Sequence, residues 1–426
     1  MRAVSYDAAM ANLPNTTHPS RVGHDPGAGL VLAPFRGLRF DASRVGDLGT
    51  VISPPYDVLD ADTVRDLEAG NRRNIVRLIL SRRFERPYRA VLARLETWRD
   101  KGYLVPDAEP ALYLYEYTVD AVTVRGLIGL VGLRTEDQGV VLPHEDVMPG
   151  PVADRVVLMR TTRTNPEPIL LVHSGSSGLR ATMEFTAGGE PLAAFRAPDG
   201  SEHRLWAITD PTTLTEVSGE LAPGHALIAD GHHRHAAYLA LQREMRPAAA
   251  PPDSSPWDFG LAMLVDQNDY PLTVGPIHRS VTALTMSDVQ DLATERGDDL
   301  RGCTDRESAF AALATTTAGT AQFVVSDGRA WAVLSTRRHR SVDAAVLHEE
   351  ILPAWNVSEE QVGYHHSLDQ ALHTTARQPG VVLAVHPPTL PEVMACAARG
   401  ERMPRKSTSF GPKPRMGVVL RDLRDA

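Results

Sequence analysis

Apolar residues recur along this chain with two different periods, and the stretches that carry them alternate. After Pro87, the residues Tyr88, Val91, Leu92, Leu95 and Trp98 fall on one face of a helix, with Gly102 as its stop. From Ala111 to Leu133 the pattern predicts two strands around an Asp120-Ala121 turn. Asn74 to Leu80 reads as a buried strand. Val51 to Val58, with Pro54 and Pro55, reads as extended or turn backbone. Asp60 or Asp62 caps a short helix that Gly70 ends. Residues 135–167 read as a long polar loop, of the kind that is usually functional.

Alternation resumes near Ile169 and at Leu205 to Ile208. Ala226 to Ala229 forms a short apolar strand, broken at once by Asp230-Gly231-His232-His233-Arg234. His235 to Arg246 then reads as a helix with Ala236, Leu239 and Ala240 on its buried side. The run from Arg246 to Pro256, rich in Pro, Ala and Ser, reads as a linker. Beyond it the pattern predicts helices near 287–296, 306–314, 342–350 and 390–399, and strands near 259–265, 321–325 and 380–385. Residues 1–30 show no periodicity and are expected to be a flexible leader. The fold class is α+β, with a core over residues 31–246 and a second, mixed α/β domain over 257–426.

Composition narrows the function classes. The 426 residues carry a net charge of −9, a poor balance for coating nucleic acid, and neither a basic helix nor a helix-turn-helix pattern is present. No run of about 18 apolar residues suggests a membrane span, and no apolar segment near the N-terminus suggests secretion. Two cysteines, Cys303 and Cys396, are too few for a disulfide framework or a four-thiolate zinc site. A cytoplasmic location is expected. Only three of the 44 basic residues are lysines, Lys101, Lys406 and Lys413, which raises the question of what those lysines do that arginine would not.

Three clusters could carry chemistry. The turn 230–234 opens a helix after a strand, so its backbone N–H groups lie at the positive end of a helix dipole and suit a phosphate. Arg234 would add a two-donor fork, His232 and His233 further donors, and Asp230 would cap the turn or hold a magnesium ion through water. The plain alternative is a tight turn with surface histidines. A zinc site on His232 and His235 lacks a third ligand, and no dedicated metal site is expected.

The second cluster is Pro143-His144-Glu145, between a proline and the stiff Pro149-Gly150-Pro151, with Asp154, Arg155 and Arg160 nearby in sequence. A carboxylate held beside cations can act as a general base toward a hydroxyl, typically contributing roughly 10²–10⁴-fold; a solvated charge is the plain alternative. The third is Lys406-Ser407-Thr408, followed by Lys413. Arg405 stands where a P-loop needs Gly, so this is no P-loop, yet it supplies lysine and hydroxyls for an anion. A base, a phosphate cradle and a Lys/hydroxyl clamp are the equipment of phosphoryl transfer to a small hydroxylated molecule. Asp57, after Pro54-Pro55, reads as a turn residue bonding its own backbone, with a metal role as the sharper alternative.

These segments resemble the free-serine kinases, which belong with the ParB-type and sulfiredoxin-like nucleotide-binding domains. The matching positions are Pro143-His144-Glu145, the 230–234 turn and Lys406-Ser407-Thr408, in the same order. From about 31 to 423 the chain also resembles a widespread bacterial family of mostly unknown function related to those kinases. The shared segments here are Pro34-Phe35-Arg36-Gly37-Leu38, Ile52 to Val58, Asn74 to Leu78, Leu142 to Glu145, Gly150 to Arg155, Asp230 to Arg234, Pro276 to Arg279 and Lys406 to Lys413. Two departures stand out: a long insertion between Pro143-His144-Glu145 and the 230–234 turn, and Ser409 and Gly411 where relatives often carry aromatics.

The resemblance implies a ParB/sulfiredoxin-like core and a Mg²⁺-dependent transfer from ADP or ATP to a small hydroxyl acceptor, free L-serine or a related amino acid. Glu145, in a motif shared with His144, would take the hydroxyl proton. Gly231, His232, His233 and Arg234 would hold the donor phosphates, and Asp230 the metal or the turn. Lys406, Ser407 and Thr408 would bind the acceptor. The alternative is a nucleotide-binding sensor without chemistry.

Overall fold

The computed structural model describes residues 29–80, 87–314, 319–340 and 342–425. The expected leader therefore lies almost wholly outside the described residues. The chain forms two compact units. The first takes the described residues up to Pro143, Val147–Leu272 and those from Pro412 on; the second takes His144–Asp146 and Thr273–Gly411. The division thus falls at 272/273 rather than in the 246–256 run. The C-terminal segment rejoins the first unit, and three residues around Glu145 belong to the second. Long-range strand pairing, which no local composition signals, is the reason: Leu420–Asp422 pairs with Gly37–Phe40 and with Thr164–Asn165.

The first unit is built on a mixed sheet whose strands run, in spatial order, Val141–Leu142, Ala226–Asp230, Ile169–His173, Phe259–Asp266, Val122–Gly132, Leu112–Val119, Glu202–Ile208 and Ala193–Arg196. The hairpin 112–132 turns at Asp120 and Ala121, both at positive φ as a tight two-residue connection demands. Leu114, Leu127, Ile169, Leu171, Ile228 and Leu264 of the sheet's strands share one core with helix residues such as Met159, Leu179, Val217 and Leu241. The helix Pro87–Asp100 forms as the pattern predicts and buries Val91, Leu95 and Trp98.

Two expectations are overturned here. Residues 149–162 form the helix Pro149–Thr162 rather than part of a loop. Pro149 and Pro151 stand in its first turn, where a missing N–H costs nothing, so the prolines start the helix instead of stiffening a loop. Asn74 to Leu80 is a helical turn, Val76–Ile79, not a strand. Asn74 bends the chain there: its amide accepts from Val76 N at 3.0 Å and the Ser53 hydroxyl at 2.5 Å, and donates to Thr50 O and Ile52 O at 3.0 Å each. A third difference is that the helix after the 230–234 turn begins at His232, three residues early.

The second unit has a six-stranded sheet in the order Asp299–Cys303, Trp331–Arg337, Thr320–Ser326, Gly380–Val385, His278–Thr282 and Val362–His365, with every pairing antiparallel. The predicted helices appear as Met286–Arg296, Arg306–Leu313 and Leu390–Ala398. The segment near 342–350 is instead a short helix, Asp343–Val346, followed by the π-helical Leu347–Ile351. Cys396 is buried, and Cys303 is partly exposed. Among the described residues no helix is long and apolar enough to cross a membrane.

Asn74 is fully buried and ties the Thr50–Ser53 backbone, which leads straight into Tyr56 and Asp57. Asn74→Ala leaves two buried carbonyls and a hydroxyl without their partner. It is expected to destabilise the first unit by about 2–4 kcal/mol. A urea-unfolding midpoint equal to that of the parent chain would refute this.

Candidate functional site

The first unit gathers four of the segments singled out in the sequence. The chain returns at Met416, which exchanges backbone hydrogen bonds with Ser53, and this brings Lys413 to the segment carrying Asp57. The Lys413 ammonium lies 2.5 Å from Asp57 Oδ2 and 2.5 Å from Asp230 Oδ1. Burial works against its charge, but the pull of Asp230 and Asp57 outweighs it and raises the pKa above the usual lysine range. The ammonium thus stands as a point charge between two carboxylates, which gives one lysine of this arginine-rich chain its place. Asp57 Oδ1 is buried and accepts no hydrogen bond.

Asp230 ends its strand at a register irregularity against Ile169–His173, and that irregularity sets the direction of its side chain. Gly231 follows at φ +97°, a left-handed turn, and a Cβ there would sit 2.8 Å from Ile169 Cγ2; only glycine fits. The helix His232–Met245 opens on it. Arg234 turns inward: its guanidinium donates to Asp230 Oδ2 and Pro168 O, and pairs with Glu167 at 3.5 Å. Arg155 pairs with Asp154 at 2.9 Å and with Glu167 at 3.8 Å, while Tyr88 donates to Asp154 at 2.6 Å. The Tyr56 ring meets both guanidiniums, at 5.1 Å from Arg155 and 5.9 Å from Arg234, and burial pushes its phenol up to about 12. Burial likewise pushes the Glu167 carboxyl up, against the pull of Arg234 and Arg155.

Arg234, expected from the sequence as a two-donor fork for phosphate, lies buried in the first unit. Its Nη1 and Nη2 are engaged by Glu167, Asp230 and the Pro168 carbonyl, and its Nε has no partner. His233 Nε2 accepts from the amide of Met148, the residue that precedes the helix Pro149–Thr162, and His232 is buried. What the turn offers a phosphate is therefore its backbone N–H groups at the helix N-terminus. No group of three or more His, Cys, Asp or Glu among the described residues could hold a metal ion. At the nearest approach to one, Asp57 and Asp230, the Lys413 ammonium already stands in the cation position. The residues do not fit a protein-held Mg²⁺.

The second unit holds the other sequence candidates. Lys406 has φ +59°, and this left-handed residue turns the amides of 406, 407 and 408 toward one point, forming an anion-binding nest. The anion in it is Glu145. Its Oε2 accepts from Lys406 N at 3.1 Å; its Oε1 accepts from Ser407 N at 3.0 Å, Thr408 N at 2.7 Å and Thr408 Oγ1 at 2.6 Å. His144 Nε2 lies 2.8 Å from the same Thr408 hydroxyl. That hydroxyl has one proton and gives it to Glu145, so His144 must donate to it, and the chain runs His144 to Thr408 to Glu145. His144 is fully buried and touches Thr408.

Sequence reasoning placed cations beside Glu145 and acceptor-binding groups at 406–408. The structure instead puts Arg155 in the first unit and Arg160 in an exposed pair with Glu244, and gives the 406–408 amides to Glu145 itself. The cause is backbone geometry at Lys406, which residue identity does not announce. Asp57 and Glu167 were missed as members of the cluster around Asp230 and Arg234; for Asp57 the signal available was its place in a shared segment, and Glu167 lies in none.

Replacing Lys413 by Met removes the cation from two adjoining, mostly buried carboxylates. Lys413→Met is expected to destabilise the first unit by about 3–5 kcal/mol, and adding Asp57→Asn should restore part of that. Equal denaturation midpoints for Lys413→Met and the parent would show that the cluster does not carry that energy.

Comparison with known proteins supplies the family. No curated protein matches the chain in sequence. Among solved structures, a free serine kinase variant in complex with ADP aligns over 70% of this chain and 91% of its own, at 16% identity and TM-score 0.39. A conserved hypothetical protein from Pyrococcus furiosus covers 70% and 96%, at 15% identity and TM-score 0.38. C-terminally truncated SbnI from Staphylococcus aureus covers 68% and 85%, at 12% identity and TM-score 0.38. The model of a family described as proteins of unknown function, DUF1015, matches residues 32–358, most of the chain, so the protein belongs to that family.

Proposed function

We propose that the protein is a phosphotransferase that moves a phosphoryl group from ATP or ADP to the hydroxyl of a small molecule, with free L-serine or a related amino acid as the acceptor. The observation that carries this reading is the seating of Glu145. A carboxylate has about four lone-pair sites. Three donors converge on Oε1 and one on Oε2, which leaves Oε2 with room for one further proton donor. The side chain is a tenth exposed, so it is held firmly yet reachable. A fixed carboxylate with one open acceptor site is what a general base toward a hydroxyl requires.

In the reaction the acceptor oxygen forms a bond to the terminal phosphorus as the bridging oxygen–phosphorus bond to the nucleotide breaks. The hydroxyl proton passes to Glu145 Oε2. The N-terminal amides of the helix His232–Met245, opened by Gly231, are the groups assigned to the donor phosphates. Lys413 and Arg234 hold Asp230 in place beside that turn. The order of the Pro143-His144-Glu145, 230–234 and 406–408 segments, shared with the free-serine kinases, supports the same assignment.

The test is product formation by the full chain with Mg²⁺-ATP or Mg²⁺-ADP and a panel of hydroxylated amino acids, read by mass spectrometry. Glu145→Gln keeps the side-chain volume, and its carbonyl can stay on the three donors at the Oε1 position, but its NH₂ cannot take a proton. Turnover is expected to fall on the order of 10²–10⁴-fold with nucleotide affinity nearly unchanged. Nucleotide binding without product in the parent chain would instead favour a nucleotide-binding module without chemistry.

A further inference from the structure

Arg279 lies on the strand His278–Thr282 in the interior of the six-stranded sheet, two residues from Val281, which is part of the second unit's apolar core. It is fully buried. Its Nε donates to His348 Nε2 at 2.9 Å and its Nη1 to Ile277 O, but its Nη2 has no partner. No carboxylate forms an ion pair with it among the described residues. Its pair across the ladder is Tyr364, whose ring it covers at 5.1 Å, and the Tyr364 hydroxyl is also buried without a partner. The His348 ring stacks parallel to that of Tyr364, at 5.9 Å between centroids and 2° between planes.

A charged guanidinium shut away from water without a counter-ion is costly by several kcal/mol. The other large arginine buried to this depth, Arg421, places Nη1 and Nη2 on Asn165 Oδ1, Phe259 O and Pro256 O and leaves only Nε unpartnered. In Arg279 it is the terminal Nη2 that has no acceptor. Burial brings its pKa down to about 10, which still leaves it protonated at neutral pH. Burial and the nearby Arg279 charge bring His348 down to about 3, so that imidazole is neutral and can accept from Nε. One positive charge and two unused donors lie on this cross-strand pair, and two residues past Tyr364 the chain meets the segment that cradles Glu145, with His366 Nδ1 2.9 Å from the Ser409 hydroxyl. His348 sits in the π-helical segment Leu347–Ile351, an irregularity that recurs at functional sites.

We infer that Arg279 and Tyr364 form a binding site for a single carboxylate, and that this carboxylate belongs to the hydroxylated acceptor whose proton Glu145 takes. The inference rests on the phosphotransferase reading for the acceptor's role, but not for the anion site. One unbalanced cation matches a monoanion; a phosphoryl group with two or more charges would leave excess negative charge beside Glu145. The planar guanidinium and the phenol present donors of the kind that carboxylate oxygens accept, so the acceptor is a small hydroxy acid or amino acid rather than a sugar or an alcohol.

Calorimetric titration of the full chain without nucleotide tests this, using L-serine and glycerate as carboxylate probes, ethanolamine and glycerol as their carboxylate-free counterparts, and inorganic phosphate. Carboxylate probes are expected to bind and the carboxylate-free ones not. Tyr364→Phe, which keeps the ring, should weaken binding by about tenfold, and Arg279→Lys by more, since it removes the planar fork. Equal affinity for both probe classes, no binding of either carboxylate, or unchanged affinity in both variants would overturn the inference. Phosphate bound with the same dependence on Arg279 and Tyr364 would also overturn it and reassign the pair to a phosphate. Carboxylate binding in a chain that forms no product leaves the inference standing and removes the transferase reading. Product formation with an unaltered KM in both variants does the reverse.

Discussion

Carboxylates taken out of water must be met by a cation or by a set of donors, and the first unit is arranged around that requirement. Asp57, Asp154, Glu167 and Asp230 come from four separated stretches of chain, and Lys413, Arg155 and Arg234 are interleaved among them. Each cation serves two carboxylates, so none can be removed without stranding a charge. The arrangement also fixes the backbone. The segment after Pro55, the end of the strand Ala226–Asp230 and the returning C-terminal segment are held to one another through charges that none could bury alone.

The second unit meets the same requirement in another way. Among the described residues no side-chain cation stands at hydrogen-bond distance from Glu145; three backbone amides and one hydroxyl receive it. The amides orient the carboxylate, and with three of the four donors on Oε1 they leave an acceptor site open on Oε2. His144 completes the row by fixing the Thr408 hydroxyl toward Glu145. Side-chain cations hold the acids of the first unit in place, while backbone amides leave the acid of the second available. That contrast is why Glu145, rather than Asp230, carries the role of base in the proposed reaction.

The segments behind the resemblance are sorted by the fold into two constellations. Those around Asp57, Arg155, Asp230 and Lys413 meet in the first unit. Those around Glu145, Arg279 and Lys406 to Thr408 lie in the second. Arg279 illustrates the difference between a motif and a site. In sequence, His278-Arg279 is a basic pair of the kind found on many surfaces; on an interior strand of a sheet it becomes a buried cation lacking its anion.

Period and turn chemistry are local properties, and the sequence determined what depends on them. The hairpin 112–132, the helix after Pro87, the strand before Asp230, the need for glycine at 231 and most helices of the second unit follow from patterns a few residues long. The identities of Glu145, Asp230 and Lys406 to Thr408 as residues of interest were also legible, because those residue types suit proton and phosphate chemistry. Partnership was not. That Arg234 serves Glu167 and Asp230, that Lys413 bridges Asp57 and Asp230, and that the 406–408 amides cradle Glu145 depend on contacts spanning up to 356 residues. The energy of a buried charge depends on what surrounds it, and only tertiary structure supplies the surroundings.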